Sequence, residues 1–333
     1  MALSQGRPDQ AATSFRTSLS FAPDNYSYQL LLAEALAAAG YTEEAINYFL
    51  NLWESQPGDG FINLQLARLT RQKGTPQQAI DYYRAAVFGN WQGDGIVRRR
   101  ETRLELADYL IEQKDLPAAR SELLIAANNA PANTKLEATF ADRLQKTGDS
   151  TDALNYYQRA IEADPHNKTA LVQAGHVAYT MGDYSTAHRL LTRALQENSG
   201  MAENANERSE LTTLLETTGR LLTLSLSQDL SARDRATHLL TASAITKRRF
   251  NSCVASFGDP SALPSTLQSL ASRWKASDGG TKRATLTLDV SGQDNMTQLI
   301  YDTEVQTAAV CGAPTDDDAL LLLLANSSRA KDQ

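Results

Sequence analysis

The sequence predicts an all-α chain: a solenoid of antiparallel helix pairs followed by an appended helical C-terminal region. Three observations predict it. Six alanines, Ala11, Ala45, Ala79, Ala119, Ala153 and Ala187, recur at spacings of 34, 34, 40, 34 and 34 residues. A fixed period of this length marks stacked supersecondary units. Five residues before each alanine stands a glycine (Gly6, Gly40, Gly74, Gly148, Gly182), with Lys114 the exception. Twelve residues after it comes Pro23, Pro57, Pro131 or Pro165, with Trp91 and Ser199 in the other two units.

Each element follows from spacing and residue chemistry. Four residues after the alanine stands Phe15, Phe49, Tyr83, Leu123, Tyr157 or Leu191; seven after it stands Ser18, Leu52, Ala86, Ala126, Ala160 or Ala194. Positions i, i+4 and i+7 share one helix face, so these residues form the buried stripe of the second helix in each unit. Upstream lie the pairs Leu32 and Ala33, Leu66 and Ala67, Leu106 and Ala107, Phe140 and Ala141, Ala174 and Gly175. Their small members let two helices approach closely while the large ones fill the space beside them. The glycine lets the first helix end in a left-handed turn, and the proline stops the second helix for want of an N–H.

Residues 31–57 and 148–167 carry the pattern in full. It resembles the tetratricopeptide repeat of bacterial-type proteins, which implies a right-handed superhelix. Complete units are expected at 26–59, 60–93, 100–133, 134–167 and 168–201, with a partial one, a lone second helix near 8–21, at 1–25. The family tryptophan of the first helix is absent, with Gln29, Asn63, Arg103, Glu137 and Leu171 in its place. Met1 falls at position ten of its unit, from which an upstream segment is expected: further repeats, a signal or an anchor. The expected compartment is the cytoplasm or, with such a segment, a bacterial periplasm or envelope.

The one break in the beat is a loop insertion near 91–99, expected to run as solvated chain into a helix starting near Arg100. Arg98, Arg99 and Arg100 make a basic spot beside Trp91. Beyond residue 202 the period is lost, and 202–333 reads as a non-repeating helical region. Helices are expected at 203–226, at 232–255 with Ser231 as N-cap, through Trp274, across Met296 to Ala309, and from the triplet Asp316, Asp317 and Asp318. Residues 258–265 and 275–282 read as a turn and a loop. The alternation over 285–290 is strand-like, but a lone strand has no partner.

The chemistry-bearing residues are few. Net charge is −7, with 39 acidic against 32 basic residues, which argues against nucleic acid as partner. No run of about 18 apolar residues exists to span a bilayer. Cys253 and Cys311, 58 residues apart, exclude a CxxC motif or zinc knuckle. They are either buried thiols or one disulfide between two helix ends. His166, His176, His188 and His238 form no HExxH, and the aspartate triplet lacks calcium-loop spacing. No catalytic residue, metal site or cofactor is expected.

In the repeat family the first helices line the concave face, and the resemblance places there Glu34, Phe61, Arg68, Arg71, Asp108, Asp142, His176 and Tyr179. The Lys and Asn clamp of chaperone-binding members is not matched, since Glu34 and Arg68 stand where asparagine is expected. The expected function is a non-catalytic scaffold binding a protein or peptide segment in that groove. Two alternatives are a structural component of a membrane-anchored or envelope assembly and an enzyme with its site in 202–333.

Overall fold

The computed structural model describes residues 5–131, 133–197, 205–259, 262–277 and 283–331. Parts of the expected partial repeat, last unit, 258–265 turn and 275–282 loop lie outside them. The seventeen named elements among the described residues are all α-helices. The chain divides into two compact units, Met1–Pro165 and His166–Gln333.

The first unit holds α1 (Pro8–Phe21), α2 (Tyr26–Ala38), α3 (Thr42–Ser55), α4 (Gly60–Lys73), α5 (Pro76–Phe88), α6 (Gly95–Glu112), α7 (Leu116–Asn128), α8 (Thr134–Lys146) and α9 (Ser150–Ala163). Helices α2/α3, α4/α5, α6/α7 and α8/α9 pair, and each pair stacks on the next. Ala45, Ala79, Ala119 and Ala153 are fully buried, as are Phe49, Tyr83 and Leu123. Each large side chain so buried contributes about 1.5–3 kcal/mol. Side chains of Asn25, Asp59, Asp94, Asp115, Asn133 and Asp149 accept the free N–H groups at helix starts, closing ends that the fold would otherwise leave unsatisfied. The turn before the alanine is left-handed throughout, and Lys114 adopts it too, at φ 62°.

The position of the missing tryptophan has been given a different job. Asn63 is fully buried; its amide donates to Pro57 O (2.9 Å) and Asp59 O (2.7 Å), and its Oδ1 accepts from Trp53 Nε1 (3.2 Å). Gln29 donates to Pro23 O in the same register (2.8 Å). Both side chains tie the start of a first helix to the chain arriving from the helix before.

The insertion differs from expectation. Helix α6 begins at Gly95, so residues 95–99 are helical rather than loop; Asp94 caps it by accepting from Val97 N (3.0 Å). The segment before it is packed. Trp91 donates to Ala86 O (2.9 Å), and its indole lies so close to Gly60 that a Cβ there would sit 2.5 Å from the ring. Backbone bonds join Gly60 N to Asn90 O and Asn90 N to Gly58 O, both 2.8 Å. Arg99 donates to Gly89 O (3.0 Å), which divides the basic spot: Arg99 is structural and Arg98 pairs with Glu101 (3.7 Å).

The second unit holds α10 (Lys168–Thr180), α11 (Tyr184–Gln196), α12 (Ala205–Leu224), α13 (Ala232–Ala255), α14 (Ser265–Ser277), α15 (Arg283–Leu288), α16 (Val290–Cys311) and α17 (Asp316–Lys331). The last repeat therefore groups with the C-terminal helices, not with the other repeats. Its α11 packs on α12: Tyr184 joins their common core with Leu221 and Leu224, and His188 Nδ1 lies 3.2 Å from Thr218 Oγ1. Helix α13 packs on α16, α16 on α17, and α17 also on α12. Ser231 caps α13 through Asp234 N (3.1 Å). The strand-like alternation lies in a helix, α15, up to Leu288, and Asp289 then caps α16.

This second core contains charged and polar groups. Buried Gln293 donates to Ala232 O (2.8 Å) and Leu286 O (2.9 Å), and buried Trp274 donates to Thr303 Oγ1 (3.0 Å). Glu304 is fully buried and accepts from Thr246 Oγ1 (2.6 Å). Burial pushes its carboxyl up to about 7. Among the described residues no helix is long and apolar enough to cross a membrane.

Candidate partner-binding groove

Three of the residues expected on the first helices, Arg68, Arg71 and Asp108, are engaged in a ladder of ion pairs between successive repeats. Arg68 on α4 forks onto Glu105 on α6, Nε to Oε1 at 2.9 Å and Nη2 to Oε2 at 2.8 Å. Tyr83 OH, at the large core position of α5, donates to the same Glu105 Oε1 (2.8 Å). Burial alone would raise the Glu105 carboxyl, but the hydrogen bonds from Arg68 and Tyr83 outweigh it and hold it below its usual value. Burial drives the Tyr83 hydroxyl upward, keeping it a donor.

One helical turn further on, Arg71 pairs with Glu112 (2.6 Å), and its guanidinium lies 5.1 Å from the Tyr109 ring centroid. Asp108 on α6 accepts both prongs of Arg143 on α8, at 2.8 Å each. Asp142 accepts from Tyr157 OH. The pairs remain in contact with solvent: the Arg68 side chain is 47% exposed. Planar, two-pronged pairs of this kind fix orientation as well as charge. They hold the first helices α4, α6 and α8 in one register.

Expected residues outside the ladder sit differently. Glu34 on α2 is half-buried, makes no hydrogen bond or ion pair among the described residues, and has its carboxyl raised by burial. Phe61 on α4 is half-buried against the core of α1 to α4. In the second unit, His176 is exposed on α10, whereas Tyr179 packs on the C-terminal core, edge-to-face with Tyr184 at 5.8 Å. The structure thus places Arg68, Arg71 and Asp108 in ion pairs that link α4 to α6 and α6 to α8, and it does not bring the eight residues together.

Sequence reasoning missed Glu105, Glu112, Arg143 and Tyr83. A signal existed: the paired charges are 37, 41 and 35 residues apart, close to one repeat. Cys253 and Cys311 are bonded in the structure, with Cα atoms 5.8 Å apart. Among the described residues no three His, Cys, Asp or Glu side chains gather as metal ligands.

Comparison with known proteins bears on the fold. Family models described as tetratricopeptide repeat match residues 2–69, 64–134 and 144–203. No curated protein matches the chain. Among solved structures, the C-terminal part of a TPR repeat-containing protein from Cytophaga hutchinsonii aligns with TM-score 0.52 at 12% identity, over 72% of this chain and 90% of that one. YrrB, a TPR protein with an unusual peptide-binding site, aligns with TM-score 0.44 at 17% identity, over 56% and 94%. PilW, a widely conserved type IV pilus biogenesis factor, aligns with TM-score 0.43 at 18% identity, over 64% and 93%. The family matches span more than half of the sequence, on the same helix pairs and turns that the coordinates show. The chain belongs to the tetratricopeptide-repeat family.

Proposed function

We propose that the chain is a non-catalytic interaction scaffold, and that the first helices of its repeats take a partner's peptide segment along the face bearing Arg68, Arg71 and Asp108. The observation that carries this reading is the ladder Arg68–Glu105–Tyr83 with Arg71–Glu112 and Asp108–Arg143. It holds a half-exposed surface of both signs in one arrangement before any partner arrives, so little ordering cost falls on this side of the interface. Carboxylates of a partner segment can exchange with Glu105 or Glu112 on the guanidiniums, and its cationic groups with Arg143 on Asp108. Contacts of this kind commonly sit around micromolar affinity.

The test is selection of binders to the full chain from a random peptide library, followed by affinity measurement on Arg68→Ala and Arg71→Ala. A loss of about tenfold in each variant, or about 1.4 kcal/mol, is expected. Binders whose affinity is untouched by both substitutions, or that lose it only on substitutions in α12 to α17, would overturn the reading.

A further inference from the structure

Cys253 lies in the last turn of α13 and is 4% exposed, whereas Cys311, the final residue of α16, is exposed. Both line an open cleft of about 380 Å³, together with Arg248, Arg249 and Asp318. Arg249 is one helical turn before Cys253 and shares its face. Its Nη2 donates to Gly312 O (2.7 Å) and its Nε to Thr307 Oγ1 (3.1 Å). The guanidinium therefore spans the same two helices as the disulfide.

Two carboxylates beneath this joint are incompletely satisfied. Glu304 Oε2 is buried without a hydrogen bond, 3.8 Å from Arg249 Nε, and Asp318 Oδ1 on α17 is buried without one as well. An unsatisfied buried acceptor works against the packed state, by an amount of the same order as a crosslink closing a long loop contributes. The disulfide closes 58 residues across this joint. The disulfide thus opposes that tendency where the end of α16 and the start of α17 meet α13.

We propose that Cys253–Cys311 is a thiol-exchange latch, with Cys311 the sulfur attacked from the cleft, and that its reduction releases the end of α16 and α17 from α13. An incoming thiolate forms a bond to Cys311 Sγ as the S–S bond breaks, and Cys253 leaves as a thiolate beside the Arg249 guanidinium. A second thiolate attacks the small-molecule sulfur of the mixed disulfide and expels Cys311 as a thiolate, which takes a proton from water. Two thiols are oxidised to one disulfide, and the protein disulfide is reduced by two electrons. The co-reactant class is a low-molecular-weight thiol.

The test uses the oxidised full chain and reduced glutathione as probe. Acid-quenched peptide mapping is expected to find the glutathione adduct on Cys311. Hydrogen exchange after complete reduction is expected to speed up at least tenfold over 300–331 while changing less than twofold in α2 to α9. The reduced Glu304→Gln protein should regain part of that protection. An adduct on Cys253, a bond that resists glutathione, or unchanged protection over 300–331 after reduction would overturn the proposal. A Cys253→Ser/Cys311→Ser chain should exchange like the reduced protein. If that variant fails to fold, the reduced native chain still decides the outcome.

Discussion

In the first unit, the groups that hold neighbouring helices together lie about one repeat apart: Arg68 with Glu105, Asp108 with Arg143, Arg120 with Asp149. In the helices after residue 205, important partners lie 58 to 97 residues apart: Thr246 with Glu304, Cys253 with Cys311, Arg220 with Asp317. Repeat stability is close to a sum over nearest neighbours, so damage in one pair stays near it. A core closed by distant contacts gains or loses them together, so damage spreads. The first arrangement suits a surface that holds its shape while the proposed partner segment exchanges its ion pairs. The second suits a unit with few internal states, of which the disulfide selects one.

The sharpest way to break this comparison is a pair of large-to-small substitutions. Phe49→Ala and Trp274→Ala each remove a buried aromatic group and should cost about 3–5 kcal/mol. With Phe49→Ala, hydrogen exchange should rise mainly in α1 to α4, whose core the ring shares. With Trp274→Ala, which also removes the indole donor to Thr303 Oγ1, it should rise throughout α12 to α17. Equal spreading in both proteins would remove the distinction.

The next effect concerns charge in the second core. The Glu304 carboxyl rises from an ordinary 4.5 to about 7 in the folded chain, chiefly through burial. The folded state therefore binds this proton more tightly than the unfolded state. Stability is fully present below about pH 4.5 and is lost as pH rises to about 7, by up to about 3 kcal/mol. Asp318, also raised by burial, acts in the same direction. Denaturant titrations at pH 5 and pH 8 should show Glu304→Gln gaining on the native chain at the higher pH. A difference independent of pH would contradict this.

Smaller effects belong to the repeats. A double-mutant cycle on Arg68→Ala and Glu105→Ala should return a coupling of about 1 kcal/mol, because the pair is two-pronged but half-exposed. Zero coupling would mean that the ladder does not hold α4 to α6. Lys114→Gly should stabilise by about 0.5–1 kcal/mol: it relieves a left-handed lysine at φ 62° but gives the unfolded chain more freedom. A loss of melting temperature would contradict that balance.

The repeat architecture was legible because it needs few residue types: a small residue at Ala45 or Ala153, a left-handed turn at Gly40 or Gly148, a helix-ending proline at Pro57 or Pro131. Ser231 marked the start of α13 for the same reason. Other features were hidden by context. Gly95 is a poor helix former, so α6 was read too short; the contact of Trp91 with Gly60 that orders the approach has no local signature. Nothing in α11 says that α12 covers it, so the compact division after Pro165 has no local signal in the sequence. The groove charges were legible as residues, whereas Glu105 and Glu112 lie 37 and 41 residues from their partners, away from the 34-residue spacing that marks equivalent positions. Glu304 sits in a run of ordinary helix formers, and its burial follows only from the distant helices α13 and α17.

The central functional claim is that the repeats receive the partner while the C-terminal helices support structure. Hydrogen exchange of the full chain, free and saturated with a library-selected peptide, tests it most directly. At least threefold slowing in α4 and α6, with α13 to α17 unchanged, is the expected result. Slowing confined to α12 to α17, with α2 to α8 indifferent to the peptide, would contradict it.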